Sequence, residues 1–109
     1  MATVGVLAKF EFLPGYEQEI GRFFAEGRTI VEGQPATTGW YAVRLGPTTY
    51  AAFAVFATEA DRDNLLAAGG PALSKAYGHL FAAPPTFDKA DIIDESERLT
   101  EPQVTVSEG

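Results

Sequence analysis

The chain has 109 residues, enough for one hydrophobic core but not for two. With 46% hydrophobic and 12% aromatic residues it reads as globular, not disordered. Eight basic residues against 15 acidic ones give a formal charge of -7 with no basic stripe, which argues against binding a nucleic-acid backbone.

The charge is unevenly spread. Residues 88–109 hold seven acids against Lys89 and Arg98, a net of -5, so residues 1–87 carry only -2. There are no cysteines, which removes disulfides, thiolate metal sites and cysteine nucleophiles. The start, MATVGVLAKF, lacks a basic segment followed by a long apolar run, and no window approaches the ~20 apolar residues that span a bilayer. The expectation is a soluble, cytoplasmic protein with no membrane contact.

In chain order, residues 3–12 (TVGVLAKFEF) alternate as a strand, with Val4, Val6, Ala8, Phe10 and Phe12 on one face. Pro14-Gly15 stops it. A helix follows, whose apolar face carries Tyr16, Ile20, Phe23 or Phe24, Gly27 and Val31. Gly33 and Pro35 end that helix. Residues 37–45 and 48–57 are two strands around a Gly46-Pro47 turn. Thr58-Glu59-Ala60-Asp61 resembles a capping box opening a second helix. Gly69-Gly70-Pro71 is expected to break this helix, with a further helix over 71–82 ended by Pro84-Pro85. Residues 86–94 (TFDKADIID) read as the last strand. Residues 1–95 thus form one domain, followed by an acidic tail over 96–109. Val104 and Val106 could give that tail a short strand, and docking onto a partner subunit is one of its options.

The order β-α-β-β-α-β is the ferredoxin-like motif, an α+β fold with a four-stranded antiparallel sheet and both helices on one face. The stretch TTYAAFAVFA then poses a problem. Tyr50, Ala52, Ala54 and Phe56 share one face, Ala51, Phe53 and Val55 the other, and both are apolar. Two helices cover only one. Large apolar patches are rarely left in water, so the second face is expected to pair with a copy of itself in a homodimer.

With this pattern the chain resembles the antibiotic biosynthesis monooxygenase family, whose members form a dimeric α/β barrel. The likeness is carried by a first strand running into FEFLPGYEQEIGRFF, by the hairpin strand GWYAVRL, and by YAAFAVFATEADRDNLLAA, a strand leading directly into an acidic helix start. It covers roughly residues 3–94. There are departures. Phe56 stands where family members usually carry Trp at the end of the third strand, and Asn64 or Leu65 where they often carry His. The haem-degrading branch pairs a first-strand Asn with a helix Trp and a helix His. This chain has neither that Asn nor that Trp, so haem degradation is disfavoured.

The resemblance implies cofactor-independent oxygenation, in which a small aromatic or quinol-like substrate reacts with O2. Such a reaction needs an apolar pocket, a base that removes a proton, and donors for the developing oxyanion. The pocket is expected between the sheet and the helices. His79 is the only histidine and its reference pKa near ~6.5 suits a base, against the alternative of a surface histidine. Arg44, between Val43 and Leu45, could anchor an oxyanion or could reach out to the rim of the sheet. Trp40, Tyr50, Tyr77 and Tyr16 could stack on an aromatic ligand or simply be core, and Phe56 is placed with them as a pocket residue. Trp40 and Tyr41 point to opposite faces, so at most one of them lines the pocket.

Other chemistries fit less well. One histidine and no cysteine make a metal site improbable, and the carboxylates lack calcium-loop spacing. Ser74 and His79 lie about 140° apart on a ~3.6-residue helix, so no serine triad starts there. The expectation is therefore no cofactor and no metal. Two further readings stay open: a non-catalytic dimer that binds a small apolar ligand, and haem binding.

Overall fold

The computed structural model describes residues 4–95. Strand β1 (Val4–Phe12) shows the expected alternation, with Val4, Val6, Ala8, Phe10 and Phe12 all buried. Gly15 turns the chain with a φ of +90°, a conformation open to glycine and strained for other residues. Helix α1 (Glu17–Glu32) follows with Glu17 and Glu19 in its first turn, where carboxylates meet the positive end of the helix dipole. It buries Ile20 and Phe23 against the sheet.

Strands β2 (Thr37–Arg44) and β3 (Thr49–Phe56) form the hairpin around Gly46-Pro47. Thr58 then caps helix α2 (Glu59–Tyr77), its hydroxyl accepting from the Asp61 N–H at 3.2 Å. A single 3-10 turn (Gly78–Leu80) leads into strand β4 (Phe81–Asp91). The four antiparallel strands are ordered β2-β3-β1-β4, with both helices against one face. This is the α+β ferredoxin-like arrangement read from the sequence.

Two boundaries differ from that reading. Helix α2 runs through Gly69-Gly70-Pro71 without a break, with Pro71 inside it. Proline forfeits one N–H and crowds the carbonyl four residues back, but its further clash with the Cβ of the preceding residue is absent here because that residue is a glycine. The separate helix over 71–82 is therefore the second half of α2 plus the 3-10 turn. The last strand also starts earlier, at Phe81 and not at 86, so Pro84-Pro85 lies within β4 and does not precede it. β4 is an edge strand, and its register against β1 shifts between Lys9 and Glu11 and again between Glu11 and Phe12. A bulged edge strand is where a missing ladder donor costs least.

Most of the buried side chains fall into two groups. One surrounds Phe10, Phe12, Ile20, Phe23 and Leu80, the other Val4, Val6, Ala54 and Phe56. Trp40 packs against both. On the opposite sheet face, Cβ atoms at Gly5 and Gly39 would stand 2.8 Å from the Phe53 ring and from Val55 Cγ2 respectively, so glycine is what lets these side chains lie flat over the neighbouring strands. Tyr41 on this face is 65% exposed and Val43 46%. Among the described residues no helix is long and apolar enough to cross a membrane. The 96–109 tail and the short strand suggested for Val104 and Val106 lie outside the described residues.

Candidate functional site

The seam between the two buried groups is not filled. A cavity of about 100 Å³ lies there, between the helices and the sheet. The alternation of β1 and β3 supplies its floor. Ala8 pairs with Ala52 and Val6 with Ala54, so small side chains face the helices side by side. The α1 period supplies one wall through Phe23, Gly27 and Val31, and α2 supplies another through Leu65, Gly69 and Leu73. Phe10, Trp40, Phe56 and Phe87 add aromatic surface to the lining. Among the described lining residues only Trp40 has a side-chain hydrogen-bond donor, its indole N–H. None of them is titratable. The site can hold an apolar or aromatic molecule, with Trp40 the one lining side chain that carries a donor.

Of the residues singled out in the sequence, Trp40 and Phe56 line this cavity, and Phe56 is 1% exposed. Tyr41, next to Trp40, points to the open face as alternation requires. The other five do not line it. Tyr50 packs on Phe12 and Phe24, with ring centroids 5.4 and 5.5 Å away. Tyr77 packs edge-on against Phe23 at 5.4 Å, and its hydroxyl donates to Glu26 Oε1. That carboxylate pushes the Tyr77 phenol above its ordinary pKa, with burial adding to the effect.

Arg44 donates from Nε to the Gly46 carbonyl and from a terminal nitrogen to the Pro47 carbonyl, both at 3.0 Å. Its guanidinium stands 5.6 Å from the Tyr50 ring centroid. It clamps the hairpin turn at the rim of the sheet. His79 is exposed in the 3-10 turn, and its ring meets Tyr16 edge-on at 6.5 Å. The structure thus gathers His79 with Tyr16, and Arg44 with Tyr50, in two places outside the cavity. Among the described residues no group of three His, Asp or Glu side chains is arranged to hold a metal ion.

Several lining residues were not proposed as site residues from the sequence: Leu65 and Leu73 read only as apolar helix positions, and Gly69 and Phe87 had no site role. Helical spacing marks Leu65, Gly69 and Leu73 as one face once α2 is continuous, and the expected break at Gly69-Gly70-Pro71 hides that signal. Phe87 faces the cavity because it pairs with Ala8 across the β1–β4 ladder, a register that the bulges set and the sequence does not display.

No family model and no curated protein matches the chain. Solved structures do. A Nitrosomonas europaea protein of unknown function, NE2512, is 27% identical with a TM-score of 0.80, over 91% of this chain and 97% of that one. A Caulobacter crescentus protein described as a candidate antibiotic biosynthesis monooxygenase is 16% identical with a TM-score of 0.73, over 85% and 92%. SnoaB of Streptomyces nogalater, a cofactor-independent oxygenase, is 18% identical with a TM-score of 0.66, over 93% and 100%. The chain has the fold of the antibiotic biosynthesis monooxygenases, as its sequence resemblance implied. At these identities the likeness to SnoaB and to the Caulobacter protein is one of fold, and fold alone does not carry chemistry.

Proposed function

We propose that the protein binds a small, largely apolar aromatic molecule in the cavity between sheet and helices. The observation behind this reading is the cavity itself, an unfilled seam in an otherwise packed core, walled by aliphatic and aromatic side chains with one indole donor. Protein interiors are ordinarily close-packed, so a space of this size in a small domain costs stability unless something occupies it. Trp40 is the only tryptophan and lines the cavity, so its fluorescence reports occupancy directly. Saturable quenching by p-cresol or hydroquinone, absent with a charged benzoate, is the expected result. No saturable response to any neutral aromatic would sink the reading.

A second reading adds chemistry, on the strength of the fold shared with a cofactor-independent oxygenase. In it a quinol-like substrate loses a proton and the electron-rich anion passes an electron to O2. An apolar site suits such a neutral substrate, and O2 itself partitions into apolar space. His79 is the proposed base and Arg44 the proposed oxyanion anchor, with Trp40, Phe56, Tyr77, Tyr50 and Tyr16 as pocket or rim contacts. Since neither His79 nor Arg44 lines the cavity, this reading requires the substrate hydroxyl to protrude beyond its mouth. Oxygen uptake by metal-free protein with hydroquinones and anthrones, corrected for auto-oxidation, tests it. Uptake abolished in His79→Ala supports both class and base, uptake unchanged in that variant discards the base, and no uptake leaves binding alone.

We also propose that the open sheet face pairs with the same face of a second copy. Tyr41 and Val43 are exposed there beside Phe53 and Val55, a contiguous apolar surface that a two-fold related copy would cover.

A further inference from the structure

Gly27 and Gly69 occupy the interiors of α1 and α2 where the two helices meet over the cavity. Glycine weakens a helix relative to alanine, because more backbone freedom is lost on folding. Such a residue is normally required by a close approach that leaves no room for a Cβ, and neither position is of that kind. A Cβ on Gly27 would lie 3.6 Å from the Trp40 ring and 3.9 Å from Leu73 Cδ1. A Cβ on Gly69 would lie 3.5 Å from both Ile30 Cγ2 and Leu65 Cδ1. These are ordinary van der Waals contacts. Alanine fits at both positions in the empty molecule and would improve both the helix and the packing.

What a methyl group would take up is cavity space. The sheet below contributes three alanines, Ala8, Ala52 and Ala54, beside the larger Val6, Phe10 and Phe56. Glycines from the helices thus stand over alanines of the sheet, which leaves a slot among the larger aliphatic and aromatic lining residues. At about 100 Å³ it is somewhat smaller than the roughly 150 Å³ engineered cavity that binds benzene.

We infer that Gly27 and Gly69 are specificity-determining residues, which keep the slot wide enough for a single planar aromatic ring at the expense of helix stability. This rests on the ligand-binding reading above and names the class of molecule bound. The ligand is a one-ring neutral aromatic, with any larger substituent carried outside the slot.

The test is p-cresol affinity, by calorimetry and by Trp40 fluorescence, in the wild type and in Gly27→Ala, Gly69→Ala and Gly21→Ala. Gly21 is the control, because it lies in the same α1 helix with nothing within 4 Å of an added Cβ. All three variants should melt at higher temperature than the wild type. Gly27→Ala and Gly69→Ala should also weaken p-cresol by about tenfold or more, the cost of crowding a fitted site, while Gly21→Ala leaves affinity unchanged. Wild-type affinity retained in both cavity variants would overturn the role of the glycines and leave the binding reading intact. A wild type that fails to bind p-cresol at all would overturn both. Lower melting temperatures in the two cavity variants would show that glycine is needed for packing, and would also overturn the inference.

Discussion

The carboxylate of Glu11 accepts hydrogen bonds from the hydroxyls of Thr48 and Thr49 at 2.5 and 2.6 Å, tying β1 to the end of the neighbouring hairpin. The two bonds, Thr48 first, hold its pKa below the usual carboxylate value, with burial opposing them weakly. A lowered folded-state pKa means that this contribution to stability is present above the unfolded value, near ~4.3, and is lost as pH falls through the folded one. Glu11→Gln should therefore flatten the acid limb of the stability profile, and acid unfolding followed by circular dichroism would show it. Tyr77 has the opposite sign. Its phenol is raised by the Glu26 carboxylate, so the stability it adds is present below about pH 10 and is lost as pH rises through the folded value. Tyr77→Phe should melt lower at neutral pH and show a shallower loss of stability in alkali. An alkaline limb identical in wild type and Tyr77→Phe would mean that the bond contributes nothing in solution. In the core, Phe12 is 1% exposed and stacks among Phe10, Phe23, Tyr50 and Phe81. Truncation to alanine should cost about 3–5 kcal/mol in denaturant unfolding.

At the level of elements, α2 carries a cost that the cavity does not explain. Pro71 sits inside the helix and forfeits a backbone hydrogen bond. Pro71→Ala should stabilise the protein by about 1–2 kcal/mol, the restored helical bond less the entropy that proline removes from the unfolded chain. A lower melting temperature would instead mean that the proline fits α2 without penalty. The same helix shows what the sequence makes legible. Period-2 burial in β1, the hairpin, the Thr58 cap and the face of α1 all follow from local patterns, because each is set by residues adjacent in sequence. The continuity of α2 and the early start of β4 do not. Gly-Gly-Pro and Pro-Pro are strong local stop signals, and tertiary packing overrides the first while a bulged edge position tolerates the second. The site inherits this split. Trp40 and Phe56 are readable from strand alternation, whereas the apolar positions Leu65 and Leu73 join Gly69 in one face only when the helix is unbroken, and Phe87 emerges only from a ladder register. His79 and Arg44 stand out in the sequence by residue type, but type says nothing about which side of the fold they occupy.

At the level of the whole molecule, the sheet has two apolar faces and the two helices cover one. The open face should associate, and Val43→Glu, which places a charge on its exposed β2 side, should shift the particle from dimer to monomer in sedimentation or light scattering. A wild type that is monomeric at micromolar concentration would remove the need for a partner. The covered face holds the cavity, and ligand binding there is the central claim. Its most direct measurement is a titration of the protein with p-cresol followed through the alanine methyl resonances, because adjacent alanines of β3 point to opposite faces. Ala52 and Ala54 line the cavity, as does Ala8 beside them, and Ala51 lies on the other side of the sheet. Binding in the cavity predicts saturable ring-current shifts at Ala8, Ala52 and Ala54 with Ala51 unmoved. Shifts confined to Ala51 and the open face, or none at all, would contradict it.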